Sequence, residues 1–265
     1  MTMKAVQIGI LGFGTVGSGV VKLIQENGAL IERRLGGPIV IRRIADIDIS
    51  RRRNVDVDPA LLTTDAMVVL DDPAIDIVVE LIGGHDPALR FCQAALARKK
   101  HLVTANKALL AIHGLELYRA AAAQRVSIGF EASVCGGIPL IRGVKEGLVA
   151  DRVRSITGIV NGTCNYILTT MTESRRPFAE VLAEAQAKGY AEANPSLDVD
   201  GIDAAHKLQI LATLAFGAYV PFGRIFVEGI RKIDASDIEY ARDLGFRIKL
   251  LAIAKQLNGE LEARV

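Results

Sequence analysis

Apolar positions along this chain follow two different rhythms. In the first part, short apolar runs alternate with segments at helical spacing. Ala5–Leu11 (AVQIGIL), Ile75–Ile82 (IDIVVELI), His101–Thr104 and Arg125–Phe130 are such runs, and Pro38–Ile47 reads as a further strand. Their length and turn-rich borders predict strands buried in a parallel sheet. A long helix through Val20, Val21, Leu23 and Ile24 and another over Pro87–Arg98 lie between them. From Val153 the pattern changes. VRSITGIV alternates only in part and predicts a strand of a new sheet. Asn161-Gly162-Thr163 opens a helix through Tyr166, Ile167 and Leu168, and Pro177–Lys188 is an amphipathic helix closed by Gly189. A helix over Ser236–Leu244 and a strand over Arg247–Gln256 follow. Asn258-Gly259 is a strong hairpin signal. Its return strand, Glu260–Val265, stops as soon as it starts, which predicts an exposed, unpaired edge.

The turn after the first strand carries chemistry. Gly12-Phe13-Gly14-Thr15-Val16-Gly17 is a GxGxxG motif with a strand before it and a helix after it, the context a dinucleotide fingerprint requires. Gly12 permits the tight turn, Gly14 lets the backbone approach a pyrophosphate, and Gly17 lets helix and strand pack closely. The helix N-terminus offers free N–H groups and partial positive charge to phosphates. The motif alone is weak; its flanking elements make it specific. The second strand ends at Asp46, where an acid accepts hydrogen bonds from the adenosine ribose and favours NAD. Arg51, Arg52 and Arg53 follow and can instead meet a 2′-phosphate, so NADP stays open. Gly83 and Lys107 stand at the carboxyl ends of later strands, which face the same crevice. For Lys107 the plain alternative is a surface lysine at a helix start. After Phe130 comes a glycine-rich loop, Glu131 to Pro139. A carboxylate and carbonyls there can hold a hard cation, although a turn out of the first domain is the simpler account.

A length of 265 residues points to two domains, divided by the change of rhythm into 1–130 and 131–265. The formal net charge of +2 implies no nucleic-acid or membrane-surface partner. Three cysteines, Cys92, Cys135 and Cys164, form no CxxC. That argues against a disulfide framework or a structural zinc site and for a reducing cytoplasm. The apolar start lacks a cleavage-like stretch, and Leu208–Phe222 is too short and interrupted to span a bilayer.

The densest chemistry lies in Gly189–Lys207, GYAEANPSLDVDGIDAAHK. Glu192, Asp198, Asp200 and Asp203 precede Lys207. Asp203 and Lys207 share a helix face that continues through Ile210, Leu211 and Leu214, so both belong on the buried side. Buried charges are tolerable when paired around a polar pocket. A lysine in a partly dry pocket is a natural proton-transfer group, because burial pulls lysine pKa values towards neutrality. The plain alternative makes Asp200 an N-cap, Asp203 its capping-box partner, and Asp203–Lys207 an ordinary helix ion pair. Four acids before one buried-face lysine favour a site for a cationic or hydroxyl-bearing small molecule.

With these residues in view, the chain closely resembles homoserine dehydrogenases. The matching stretches are GILGFGTVG, VVELIGG, HLVTANKALL, FEASVCGGIPL, ITGIVNGTCNYIL and GYAEANPSLDVDGIDAAHKLQIL. The resemblance implies reversible oxidation of L-homoserine to L-aspartate 4-semialdehyde with NAD or NADP, a step towards threonine, methionine and isoleucine. It implies that Lys207 gives and takes the proton and that Lys107 also reaches the substrate. Glu192 and Asp203 match the homoserine-binding acids, with Asp198 close by and Thr163 and Tyr190 lining the pocket. Phe13, Thr15 and Val16 fall in the cofactor turn with its three glycines, joined by Asp46, Gly83 and Lys107, and Gly189 matches a position near the cofactor. Glu131, with the carbonyls of Val134, Gly136 and Ile138, matches a sodium-binding loop. The family is usually a homodimer through the second domain's sheet. The expected fold class is α/β, a Rossmann-type dinucleotide-binding domain followed by an α+β catalytic and dimerisation domain with a mixed or antiparallel sheet.

Family members continue past this end, so the chain reads as truncated inside a hairpin. Other readings compete. Semialdehyde dehydrogenases that form acyl-enzymes need an activated cysteine with a histidine, and Cys135 has no evident partner histidine in sequence. Related sugar dehydrogenases carry Glu-Lys-Pro where this chain has Asn106-Lys107-Ala108. A non-catalytic NAD(P)-binding fragment is the remaining alternative.

Overall fold

The apolar run at the start forms strand β1, Val6–Leu11, whose last four residues are buried. Gly12 turns the chain at φ 99°, and helix α1, Thr15–Leu35, follows. In this computed structural model, which describes residues 4–265, the chain divides into two compact units, one up to Gly136 and the other Gly137–Val265.

The first unit continues with β2 (Ile39–Ala45), β3 (Leu62–Thr63), α2 (Ala66–Leu70), β4 (Ile77–Glu80), α3 (Ala88–Ala97), β5 (His101–Thr104), α4 (Lys107–Gln124) and β6 (Ile128–Gly129). The strands form one parallel sheet in the order β3-β2-β1-β4-β5-β6. The order reverses between β1 and β4, and a crevice opens at such a switch point, beyond the carboxyl ends of the strands. Close packing demands two of the glycines. A Cβ on Gly17 would lie 2.1 Å from the Gly12 carbonyl oxygen, and one on Gly12 would lie 2.7 Å from the Leu81 backbone. The expected strand over Arg125–Phe130 shrinks to Ile128–Gly129. Arg125 is the left-handed C-cap of α4 (φ 57°), so the chain must turn before it can pair.

The second unit begins with α5 (Leu140–Arg142), which runs into a π turn at Gly143–Gly147. It continues with β7 (Ser155–Gly158), α6 (Gly162–Ser174), α7 (Phe178–Ala187), α8 (Ser196–Val199), α9 (Ile202–Phe216), α10 (Ala235–Asp243), β8 (Ala252–Leu257) and β9 (Glu260–Arg264). Its sheet, β7-β8-β9, is antiparallel. Ala205, Leu208 and Ala212 of α9 pack with Ala252 and Ala254 of β8. Ile167, Leu168 and Met171 of α6 pack with Val181 of α7 and Ile238 of α10. Each fully buried Leu, Ile or Met contributes roughly 1.5–3 kcal/mol. The consecutive run from Asp203 to His206 is buried, so α9 is enclosed on more than the single face its spacing predicts.

Three local expectations change in this unit. The strand expected from Arg247 starts only at Ala252. Lys249 donates instead to Asn165 Oδ1 (2.9 Å) and Thr169 Oγ1 (2.6 Å) of α6, while Ile248 and Leu250 join the core beside that helix. Asp200 is not the N-cap of α9. Gly201 holds that position at φ 80°, and the Asp200 carboxylate pairs with Arg231. The hairpin's return strand is covered at its end, since Phe226 N–H donates to Ala263 O and Val265 N–H to Phe226 O, at 3.2 and 2.9 Å. Among the described residues no helix is long and apolar enough to cross a membrane.

Candidate functional site

In the first unit, β1 delivers the glycine turn to a cleft of about 510 Å³, lined by Gly12, Gly14, Asp46, Ile47, Ile82 and Phe91 among others. Helix α1 starts at Thr15 and Val16 with no side-chain cap and no acid in its first turn. Its first N–H groups lack intrahelical partners, which suits an anionic phosphate. A Cβ on Gly14 would meet nothing within 4 Å, so the backbone there is open to a ligand.

Asp46 stands at the end of β2, and protein donors already engage it. Its Oδ2 accepts the Phe13 N–H at 2.5 Å and its Oδ1 accepts the Asp48 N–H at 2.9 Å. A carboxylate offers about four acceptor sites, so ribose hydroxyls can share it. The arginine run does not act as one patch. Arg53 has a side chain only 8% exposed, donates to the carbonyls of Phe13, Arg51 and Asp48, and covers the Phe13 ring at 4.6 Å. Arg51 and Arg52 are exposed and line a polar cleft of about 180 Å³ with Gly14, Thr15 and Ser18.

A buried hydrogen-bonded chain fixes the ends of β4 and β5. Glu80, fully buried, accepts from the N–H groups of Ile82 (2.8 Å) and Gly83 (3.2 Å) and from Thr104 Oγ1 (2.6 Å). Asn106 donates to Gly84 O at 2.6 Å and caps α4 by accepting the Leu109 N–H. Lys107, the first residue of α4, directly follows Asn106, whose side chain is tied to the Gly83–Gly84 loop. Sequence pattern hides Glu80, because it sits inside an apolar run; an acid in such a run is the signal that it has buried partners. Beyond β6, Glu131 is half-buried and Val134 is buried, while Gly136 and, in the next unit, Ile138 are exposed.

In the second unit, the structure brings Asp198, Asp203 and Lys207 together. Lys207 Nζ donates to Asp203 Oδ2 at 2.6 Å and to Val160 O at 2.7 Å. An ammonium has three donors, and two of those of Lys207 have partners among the described residues. Asn161 Nδ2 donates to Asp198 Oδ1 (2.7 Å) and Asp203 Oδ2 (2.9 Å). In the sequence Asn161 reads only as a helix start, and the structure joins it to this group. Its N-cap position was legible; the acids it reaches, 37 and 42 residues on, were not. Thr163 Oγ1 donates to Tyr190 O at 2.8 Å, and the rings of Tyr190 and Tyr166 lie 4.8 Å apart. Gly189, at φ 75°, ends α7 and turns the chain towards Tyr190. Glu192 is exposed, and Gln186 Nε2 holds its carbonyl at 2.9 Å. Among the described residues no hydrogen bond joins its carboxylate to Asp198, Asp203 or Lys207. Buried Cys164 donates to Asp198 O, and burial, with Asp198 and Asp203 nearby, pushes its thiol up to about 12.

Two family profiles match the sequence: "Homoserine dehydrogenase, NAD binding domain" over residues 12–131 and "Homoserine dehydrogenase" over residues 139–265. Homoserine dehydrogenase of Pseudomonas aeruginosa is 48% identical over 265 residues, with 99% of this chain and 60% of that protein covered. The chain spans about three fifths of the length of the curated relatives it matches. The crystal structure of a homoserine dehydrogenase from Thiobacillus denitrificans has a TM-score of 0.93 at 46% identity, covering 99% of this chain and 61% of that one. A hyperthermophilic archaeal homoserine dehydrogenase in complex with NADPH has a TM-score of 0.77 at 26% identity, covering 98% of this chain and 81% of that one.

Proposed function

The chain belongs to the homoserine dehydrogenase family, and from that premise we propose that it interconverts L-homoserine and L-aspartate 4-semialdehyde with NAD or NADP, a step towards threonine, methionine and isoleucine. The observation that carries this is the half-buried Lys207, anchored by Asp203 and Val160, whose third ammonium N–H has no partner among the described residues.

When bound, the nicotinamide cofactor supplies hydride transfer. The chain's own residues do the rest. The uncapped start of α1, with Gly12, Phe13, Gly14, Thr15, Val16 and Gly17, holds the pyrophosphate, and Asp46, Gly83, Lys107 and Gly189 complete the cofactor contacts. Exposed Arg51 and Arg52 suit the 2′-phosphate of NADP. Glu192, Asp198 and Asp203 offer carboxylates to the substrate ammonium, and Thr163 and Tyr190 line its pocket. Lys207 takes the hydroxyl proton during oxidation as the neutral amine, becoming the ammonium, and returns the proton from the ammonium during reduction. Lys107 holds the substrate oxygen. The carboxylate of Glu131 and the carbonyls of Val134, Gly136 and Ile138 would supply the oxygen ligands that a sodium ion takes. We place the protein in the cytoplasm as a homodimer joined through the β7-β8-β9 sheet, with residues 1–130 binding the nucleotide and 131–265 the substrate.

The test is spectrophotometric. NAD(P)H absorbance should rise when L-homoserine is added to the chain with oxidised cofactor. Cofactor binding with no homoserine-dependent change would defeat the enzyme reading and leave a nucleotide-binding fragment.

A further inference from the structure

Asn161 lies between β7 and α6, is 3% exposed, and uses both ends of its amide. Oδ1 accepts the Cys164 N–H at 2.8 Å and so caps α6. That backbone donor fixes which end of the amide is oxygen, because an NH2 group cannot accept it. The nitrogen must face the other way, where Nδ2 donates to Asp198 Oδ1 at 2.7 Å and Asp203 Oδ2 at 2.9 Å. The two acids belong to different helices, α8 and α9. One nitrogen therefore links them across the gap between those helices. Like charges this close repel, and a neutral amide gives each a hydrogen bond without adding charge. The Asp203 oxygen it holds is also the one paired with Lys207 at 2.6 Å.

We propose that Asn161 is a positioning residue of the substrate site: its amide sets the spacing of Asp198 and Asp203, so that a substrate ammonium meets both and Lys207 is anchored on a fixed oxygen. This rests on the assignment of that site to homoserine made above. The cap and the spacer use opposite ends of the amide, so they can be separated. Asp and Ser cap helices about as well as Asn. Asn161→Asp keeps the shape and the capping oxygen but loses both donors. Asn161→Ser keeps a capping oxygen but is too short to span both acids.

The measurement is steady-state kinetics of the full chain with L-homoserine, beside NADPH titration and melting. Both variants should lower kcat/KM for homoserine by about tenfold to a hundredfold, chiefly through KM, as expected for losing hydrogen bonds to charged groups. Their affinity for NADPH should stay within about twofold, since the amide's role lies on the substrate side. A cap alone predicts otherwise. Lower melting temperature with unchanged homoserine KM in either variant overturns the proposal. If one variant does not fold, the other decides. A wild-type chain with no homoserine-dependent hydride transfer overturns the site assignment and this inference with it; normal wild-type turnover with unaltered variants overturns the inference alone.

Discussion

Lys207 and Asp203 form a contact of 2.6 Å one turn apart on α9, with side chains 17% and 9% exposed. An exposed helix pair of this spacing is worth about 0.3–0.5 kcal/mol. This one is largely withdrawn from water, where leaving either partner unpaired costs roughly 3–5 kcal/mol. Such an arrangement makes sense where the charges serve a ligand. Lys207→Ala should lower turnover by about a hundred- to ten-thousandfold, the usual contribution of a general acid–base group. Lys207→Arg should not rescue it, because arginine keeps its proton. Single-turnover hydride transfer, with melting as a folding control, checks this. A folded Lys207→Ala chain within a few-fold of the normal rate would falsify the assignment and move attention to Lys107.

Cofactor choice turns on the exposed pair Arg51 and Arg52 rather than on the whole arginine run. Arg53 is spent on the carbonyls of Phe13, Arg51 and Asp48. Replacing Arg51 and Arg52 together with Ala should weaken NADPH by about tenfold or more, the worth of a charge-assisted hydrogen bond, and NADH much less. Arg53→Ala should weaken both, because it loosens the loop that covers Phe13. Fluorescence titration with the two cofactors decides. A double variant with an unchanged NADPH-to-NADH ratio counts against a 2′-phosphate role.

Periodicity made the sheet of the first unit legible because its strands are short, apolar and separated by helices. GxGxxG was legible because Gly12 and Gly17 answer to close backbone contacts that no other residue survives. What periodicity could not give was side-chain traffic between distant segments. Nothing local tells that Asn161 meets Asp198 and Asp203, that Glu80 fastens the Gly83 turn, or that Asp200 turns away to Arg231. Arg247–Leu251 looked like strand for the same reason. Its apolar residues alternate suitably, but Lys249 is tied to α6 and withholds the segment from the sheet.

Thiol chemistry separates the three cysteines. Burial pushes Cys92 above the ordinary thiol range and Cys164 up to about 12, and both side chains are fully enclosed. Cys135 is partly exposed on the loop after β6. Thiolate, not thiol, reacts. Iodoacetamide on the native chain should therefore label Cys135 and spare the other two, read by peptide mass spectrometry. Turnover by the labelled chain would argue further against an acyl-enzyme route through Cys135. Early labelling of Cys164 would contradict its enclosure beside Asp198.

Acid sensitivity should centre on Glu184. Its carboxylate accepts from Lys188 Nζ (2.6 Å), Tyr166 OH (2.7 Å) and Arg176 (2.5 Å), and these bonds, Lys188 first, hold it down to about 2 from an ordinary 4.5. A carboxylate depressed on folding binds fewer protons folded than unfolded, so stability falls as pH falls. Its contribution is complete above about pH 4.5 and is lost on descending towards about 2. Lys188 is raised by the same contacts, with Glu184 first, so its share persists through neutral pH and is lost only in strong alkali. The cluster also supports Tyr166, against which Tyr190 rests. Glu184→Gln should therefore melt lower than wild type at pH 7, and the gap should close as both are acidified from about pH 4.5 towards 2, because only the wild type loses a charge there. Comparing the two chains cancels the carboxylates they share. Calorimetric melting across that window supplies the test: a gap as wide at pH 3 as at pH 7 would mean that the Glu184 charge does nothing for the fold.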